Sequence, residues 1–290
     1  MSEEPDEPLV RFETEGPVAW LTLNRPRYRN AQNSALLYAL DDAFARFAAD
    51  DELIVAVLGG AGDHFSAGHD LKSPGLDYEK SFDRRTMWWD HVGKAGADRT
   101  WAREEEIYLG MYRRWRAIPK PTIAVVQGAC LAGALKLAWA CDLIVAADDA
   151  YFADPLVLMG VNGVEAFKHP WECGIRFAKE MLFTGRPFSA QRAYELGMVN
   201  RVVPVADLHA TAAELAADIA RMPRLSLALA KSAVHAAEEA MGQRVAMDTA
   251  LALHQIGHLQ NELVNGSRTA GQGVDEIRTA MDPPVVPAES

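Results

Sequence analysis

Apolar positions along the chain change rhythm several times, and each change marks an element. Val10 to Glu13 and Val18 to Leu23 read as strands, separated by the hairpin signal Glu15-Gly16-Pro17. From Asn33 to Ala49 the spacing becomes helical, with Leu36, Leu37, Leu40 and Phe44 on one side. Continuous apolar runs over Leu53 to Leu58, Ile123 to Val126 and Leu143 to Ala147 predict buried strands, and Tyr151 to Ala153 a short extended piece. Arg103 to Ile118 predicts a charged helix that ends before Pro119 and Pro121, and Gly133 to Cys141 a short apolar one. The stretch from Ser73 to about Asp98 has no period and reads as irregular, in the manner of a lid. Beyond Phe188 helices dominate: Ser189 to Leu196, Ala206 to Met222, Ser226 to Ala240, Met247 to Val264 and Val274 to Met281. Strands alternating with helices, then a helical tail, predict an α/β core over residues 8–204 and a helical C-terminal region over 205–290.

Composition narrows the function classes. The 290 residues are 49% hydrophobic and 24% charged, which is ordinary for a soluble globular chain. A formal net charge of −11 argues against a nucleic-acid surface, which needs a basic stripe, but leaves room for local arginines on a phosphorylated ligand. Cys130, Cys141 and Cys173 form no CxxC pair and each has apolar neighbours, so buried thiols in a reducing compartment are expected. The acidic, proline-containing first residues read as a disordered tail and carry no secretory pattern. No apolar run approaches the length of a bilayer span. Together these predict a cytoplasmic protein with no membrane partner.

Two glycine-containing turns carry the chemistry. His64-Phe65-Ser66-Ala67-Gly68-His69-Asp70-Leu71-Lys72 and Gln127-Gly128-Ala129-Cys130-Leu131-Ala132-Gly133-Ala134 each follow a predicted buried strand. Such a pair can aim two backbone N–H groups at one point, which suits an oxyanion. The pairing resembles the crotonase (enoyl-CoA hydratase/isomerase) superfamily, and further segments resemble it in the same order. These are Asn24-Arg25-Pro26 with Asn30-Ala31, Pro119 to Ala124, Cys141 to Ala146, Leu182 to Pro187 and Gly197 to Val203. The resemblance runs from Val10 to the last helix. It implies a spiral core of ββα units, a C-terminal helical region that serves as trimerisation and lid element, and homotrimers often paired into hexamers. The implied substrate is an acyl-CoA thioester whose enolate is held by the backbone amides of His69 and Gly133. Coenzyme A then enters only as part of the substrate, and no separate cofactor is implied. Ala31, Ala67, Asp70, Leu71 and Lys72 match positions along the coenzyme A chain. Arg25, Arg27 and Arg29 are expected as phosphate contacts, with a solvated basic turn as the alternative.

The chain departs from the family where protons move. Relatives that add water carry a glutamate three residues after the second oxyanion glycine and another just after a proline some twenty residues later. Here those positions hold Lys136 and Leu156. Leucine moves no proton; lysine can act as an acid if burial depresses its pKa, or can point outward from its helix. Replacements stand nearby. Glu165 and His169 are four apart and would share one face of a helical turn as a carboxylate–imidazole couple, and Asp154 is a further carboxylate. His254 and His258 have metal-ligand spacing, but no Cys or Asp close in sequence completes a set, so no metal is expected. Gly59 to Gly62 lacks a phosphate-loop spacing and reads as a surface turn, and Ser66 has no His/Asp arrangement to make it a nucleophile. Trp88 and Trp89 are open between lining the acyl pocket and packing the lid. The expected catalytic set is therefore His69, Gly133, Glu165 and His169, in an enolate-forming acyl-CoA lyase or isomerase. A decarboxylase, a thioester or C–C hydrolase and a non-catalytic acyl-CoA binder remain as alternatives.

Overall fold

The hairpin expected at the start forms in the computed structural model, which describes residues 7–71 and 77–268. Strands β1 (Val10–Glu15) and β2 (Val18–Leu23) pair antiparallel, with Val10 opposite Leu23. Helix α1 (Ser34–Ala49) follows, capped by the Asn33 side chain accepting from Leu36 N at 2.9 Å. Its first two amides, on Ser34 and Ala35, donate to the two carboxylate oxygens of Asp77, which places a negative charge at the helix N-terminus. Strand β3 (Val55–Gly60) leads, through the turns and bends of 77–95, to helix α2 (Gly96–Glu104). A π-helical turn, Glu105–Leu109, joins α2 to α3 (Gly110–Arg116). The helix thus begins seven residues before the charged pattern at Arg103, because Thr100 and Ala102 are buried in contacts that the local sequence does not announce.

Then come β4 (Thr122–Val126), β5 (Ala129–Leu131), α4 (Gly133–Ala140), β6 (Leu143–Ala147) and β7 (Tyr151–Ala153). Next are α5 (His169–Cys173), α6 (Ile175–Thr184), β8 (Phe188–Ser189), α7 (Ala190–Glu195) and β9 (Arg201–Val203). The expected pattern did not include α5 and α6: Gly174 separates them, and α6 buries only Ala178, Met181 and Leu182 while Ile175 and Phe183 face outward. Helices α8 (Leu208–Ala220), α9 (Arg224–Ala240) and α10 (Gln243–Asn265) complete the described chain. The helix expected over Val274 to Met281 lies outside the described residues.

A six-stranded sheet runs in the order β1-β2-β3-β4-β6-β9, parallel apart from its first pair, and a second sheet runs β5-β7-β8. Alternation along the strands of the larger sheet decides its two faces. Val55 and Val57, Ile123 and Val125, and Val145 and Ala147 point to one layer, where Leu208, Ala212 and Ala216 of α8 cover them. Ala56 and Leu58, Ala124 and Val126, and Ile144 and Ala146 point into the main core with α1, α3 and α4. Both faces are covered, which is why these strands read as continuous apolar runs. The architecture is the mixed α/β class with a helical C-terminal part. Helix α8 packs on the sheet, whereas α9 buries no residue fully and leaves Leu225, Leu229 and Val234 exposed. The three cysteines are free and buried. Among the described residues no helix is long and apolar enough to cross a membrane.

Candidate active site

The two turns meet through their backbones. Ser66 N donates to Ala129 O at 3.0 Å and Leu131 N to Ser66 O at 3.2 Å, so the end of the first turn runs beside β5. Gly68 has a positive φ of 87°, and a Cβ there would stand 2.6 Å from Leu131 O and 3.2 Å from Gly133 N. Only glycine permits that approach. Ala132, at φ 49° and ψ −117°, holds a conformation sparsely populated by residues with a side chain; its N–H donates to Ala153 O at 2.8 Å. That strained step starts α4 at Gly133. Among the described residues neither the His69 nor the Gly133 N–H is taken by a backbone carbonyl. Ser66, fully buried, donates to Asn30 O and accepts from Gln32 Nε2 and Gly68 N, so its hydroxyl fixes the turn.

Directly over Gly133 lies the His69 imidazole: a Cβ on Gly133 would overlap the ring. The same imidazole stacks on Tyr108 at 4.0 Å between centroids and 7° between planes. Its Nε2 stands 3.1 Å from Lys136 Nζ and 3.7 Å from Glu165 Oε2. Lys136 points inward, is completely buried, and sits 3.7 Å above the Tyr108 ring. Burial, with Arg103 adding repulsion and Glu165 opposing, brings its ammonium down from the ordinary lysine range to about 7. Burial and the charges of Lys136 and Arg103 also hold the His69 imidazole well below its ordinary value. Burial thus favours the neutral ring, which pairs with Lys136 Nζ through Nε2, and the 3.7 Å approach to Glu165 is then no ion pair. Burial pushes the Glu165 carboxyl up, partly countered by Lys136, and its buried Oε2 has no hydrogen-bond partner.

His69, Tyr108 and Glu165 line a cavity of about 190 Å³, and Lys136 lies behind that wall, against the His69 and Tyr108 rings. Leu71, Leu156, Met159 and Val161 supply apolar wall; Tyr78, Arg103, Glu104, His254, His258 and Arg268 supply the rest. The π-helical turn brings Arg103 and Glu104 into the wall together with Tyr108, and Gly110 permits it, since a Cβ there would overlap Glu105 O. Glu104 receives bonds from Gln255 Nε2, from His258 Nε2 at 3.1 Å and from Arg268 at 3.4 Å. Burial alone would raise the Glu104 carboxyl, but His254, His258 and Arg268 outweigh it and hold it at about 2. His258, which burial would lower, is raised by that carboxylate. The fold thus gives His254 and His258 the acidic neighbour that the local sequence lacks, the ligand atoms of all three lying within 4.8 Å of one another. Glu104 is, however, already saturated by protein donors, with a guanidinium where a cation would sit. The donor set does not fit a metal.

Several expectations are revised by the structure. Glu165 and His169 do not pair: residues 162–168 form bends, with Gly163 at φ 126°, and not a helical turn. His169 instead bonds Asp154 through Nε2 at 2.8 Å, both side chains fully buried, and the Asp154 carboxylate also accepts from Leu156 N and Val164 N. That is an internal brace outside the cavity wall. Arg25 is committed to Asp70 at 2.9 Å and to Ala31 O, whereas Arg27 and Arg29 lie exposed on the turn. Ala31 and Ala67 are half-buried beside that turn, Ala67 N donating to Arg29 O. Lys72 lies outside the described residues. Trp88 and Trp89 pack edge to face against each other and do not line the cavity. Gly59 and Gly60 close β3, and a Cβ on Gly60 would stand 2.5 Å from Phe65 O. Sequence reasoning gave Tyr108, Arg103, Glu104 and Arg268 no role, and no motif marks them.

Comparison with known proteins shows the family. The family described as Enoyl-CoA hydratase/isomerase matches residues 13–264. A Mycobacterium tuberculosis protein named as an enoyl-CoA hydratase, EchA13, is 39% identical over 96% of this chain and 90% of its own length. A short-chain-enoyl-CoA hydratase of Clostridium acetobutylicum is 31% identical, over 84% of this chain and 85% of its own. Among solved structures, a probable enoyl-CoA hydratase from Mycobacterium thermoresistibile superposes with a TM-score of 0.82 at 43% identity, covering 91% of this chain and 100% of that one. With a matching family model, a matching fold and relatives of this similarity over most of its length, the chain belongs to the enoyl-CoA hydratase/isomerase (crotonase) family.

Proposed function

We propose that this enzyme acts on an acyl-CoA thioester by forming an enolate, with Glu165 as the base that takes the α-proton. The electron pair of the broken C–H bond moves to the carbonyl oxygen, where the amides of His69 and Gly133 receive the charge. The observation that carries the reading is Glu165 itself: a buried carboxylate with an orphaned Oε2, 3.7 Å from the imidazole that covers Gly133. Its raised pKa makes it a stronger base than a surface carboxylate. Lys136, poised at about 7, supplies positive charge to the enolate and can return a proton. Leu156 stands in the cavity wall where water-adding relatives have a second carboxylate, which favours proton transfer within the acyl chain over addition of water.

The reading asks for no cofactor beyond the coenzyme A of the substrate. It places the enzyme in the cytoplasm, consistent with three free thiols. Homotrimers or hexamers are its assembly, for which the exposed apolar side chains of α9 and α10 are the surface; light scattering reads the number of copies.

The test is isotope exchange. Saturated and enoyl-CoA thioesters incubated in deuterated water take up deuterium at the α-carbon with the wild-type enzyme, and uptake falls by at least about a hundredfold in Glu165→Gln. Unchanged uptake in the variant removes Glu165 from the role. No uptake on any thioester, with coenzyme A thioesters still bound, overturns α-proton abstraction in favour of a hydrolase, a binder or a decarboxylase, which reaches its enolate by losing carbon dioxide and not a proton.

A further inference from the structure

Among the described residues that line the cavity, Arg103 is a cation that no carboxylate answers, whereas His258 and Arg268 face Glu104. Arg103 is 2% exposed. Its Nη2 donates to Ser34 Oγ at 3.2 Å, and its buried Nε has no hydrogen-bond partner. Two aromatic faces hold the guanidinium, Tyr78 at 4.2 Å and Tyr108 at 5.5 Å. No carboxylate among the described residues lies within ion-pair distance of it. Its chain neighbour Glu104 faces Gln255, His258 and Arg268 instead. Of the other acids, Glu165 lines the same cavity but turns its Oε2 toward His69, at 3.7 Å, and Asp77 spends both oxygens on the amides at the start of α1.

A buried cation without a counter-charge is expensive, and stacking on two tyrosines offsets only part of that cost. Native interiors keep such a group where a ligand completes it. The cavity that Arg103 lines is the acyl cavity: Tyr108, under the guanidinium, is also the ring on which His69 stacks beside Gly133. A coenzyme A phosphate is the wrong partner, because it would travel with the exposed turn of Arg27 and Arg29, outside the buried wall. A planar carboxylate suits the fork of a guanidinium whose Nε is free.

We infer that Arg103 forms an anion subsite in the acyl cavity, and that the acyl group of the substrate carries a carboxylate remote from the thioester. The inference rests on the acyl-CoA reading above and narrows it from acyl-CoA in general to ω-carboxyacyl-CoA.

Calorimetric titration of the wild-type enzyme with succinyl-CoA and glutaryl-CoA, against the length-matched butyryl-CoA and pentanoyl-CoA, tests it. Free coenzyme A is the reference. A bond to a charged partner in this setting gives the carboxylated ligands an advantage of about 10- to 100-fold in Kd. In Arg103→Gln that advantage collapses to less than about threefold, while butyryl-CoA binding is retained; Arg103→Lys restores part of it. Equal affinity for both classes on the wild-type enzyme overturns the anion subsite and leaves the acyl-CoA reading standing. A preference that persists in Arg103→Gln assigns the carboxylate to another cation and overturns it as well. Binding of no thioester at all removes the acyl-CoA reading, and the subsite with it. Should Arg103→Gln fail to fold, Arg103→Lys decides: a reduced preference supports the assignment, and a preference as large as that of the wild type overturns it.

Discussion

Lys136 offers the sharpest test of the site's electrostatics, because its predicament registers in stability as well as in chemistry. Its ordinary pKa is 10.5 and its folded value is about 7, the shift coming first from burial. Between those values the unfolded chain holds a proton that the folded chain has released. Folding therefore gains stability as pH rises through this window, at about 1.4 kcal/mol per pH unit. The sign is that of a depressed base: the penalty is complete below pH 7 and fully relieved above pH 10.5, for about 5 kcal/mol in all. Lys136→Met keeps the volume and removes the charge. In urea unfolding at matched protein concentration, it is more stable than wild type at pH 6, and the gap closes by about 3 kcal/mol between pH 7 and pH 9. Titrating groups that Lys136 does not touch cancel in the difference, whereas Glu165 and His69, both lowered by its charge, rise in the variant and are followed separately. Repeating the pair on a Glu165→Gln background removes the carboxylate that opposes the shift, so the onset moves to lower pH. A wild-type-to-variant gap that stays constant from pH 6 to pH 9 refutes the argument, because it means that Lys136 titrates alike folded and unfolded.

Two further substitutions separate framework from chemistry. Asp154→Ala leaves His169 and the amides of Leu156 and Val164 without their acceptor, and costs about 3–5 kcal/mol in denaturant unfolding; a loss below about 1 kcal/mol would show that the brace carries little. Gly133→Ala drives a methyl group into the His69 ring, breaking the contact with Lys136. Deuterium exchange should fall by at least about a hundredfold with the circular dichroism spectrum unchanged, and a drop of less than about threefold would show that the ring can move aside without consequence.

The frame was legible because its signals are local. Val18 to Leu23, Leu143 to Ala147 and Asn33 to Ala49 carry their period on the surface of the sequence, and the two turns carry their glycines. The acid/base arrangement was not. Helical spacing joined Glu165 to His169 on paper, but the bends around Gly163 send one into the cavity and the other to Asp154. Lys136 gave no hint of direction, because every residue of α4 is buried and a helix apolar on all sides has no outer face. Arg103 and Tyr108, five apart, would diverge on a regular α-helix; the π-helical turn, a tertiary feature, lets them serve one wall. The carboxylate partner of His254 and His258 comes from α2, some 150 residues away, beyond the reach of any local spacing rule.

On the proposed reading, Lys136 and Leu156 in place of two carboxylates change more than the identity of the proton carrier. A wall holding two glutamates resists a third negative charge, whereas here Arg103 lines the cavity and Lys136 lies behind the His69 ring, with one protonatable carboxylate in the wall and Glu104 neutralised by its own cations. Such a wall favours an enolate over the neutral thioester from which it forms, and differential stabilisation of that kind accelerates a reaction where uniform binding does not. It also explains why Lys136 sits near neutrality. A permanently charged ammonium beside Arg103 would cost stability in the empty site, and a permanently neutral amine would give nothing to the enolate. A lysine at about 7 can shed its proton when the cavity is empty and recover it when negative charge arrives. On these proposals the cationic wall that receives the enolate also accommodates a second, resident anion on the acyl chain, so the proposed acid/base chemistry and the proposed substrate class follow from one arrangement of charge.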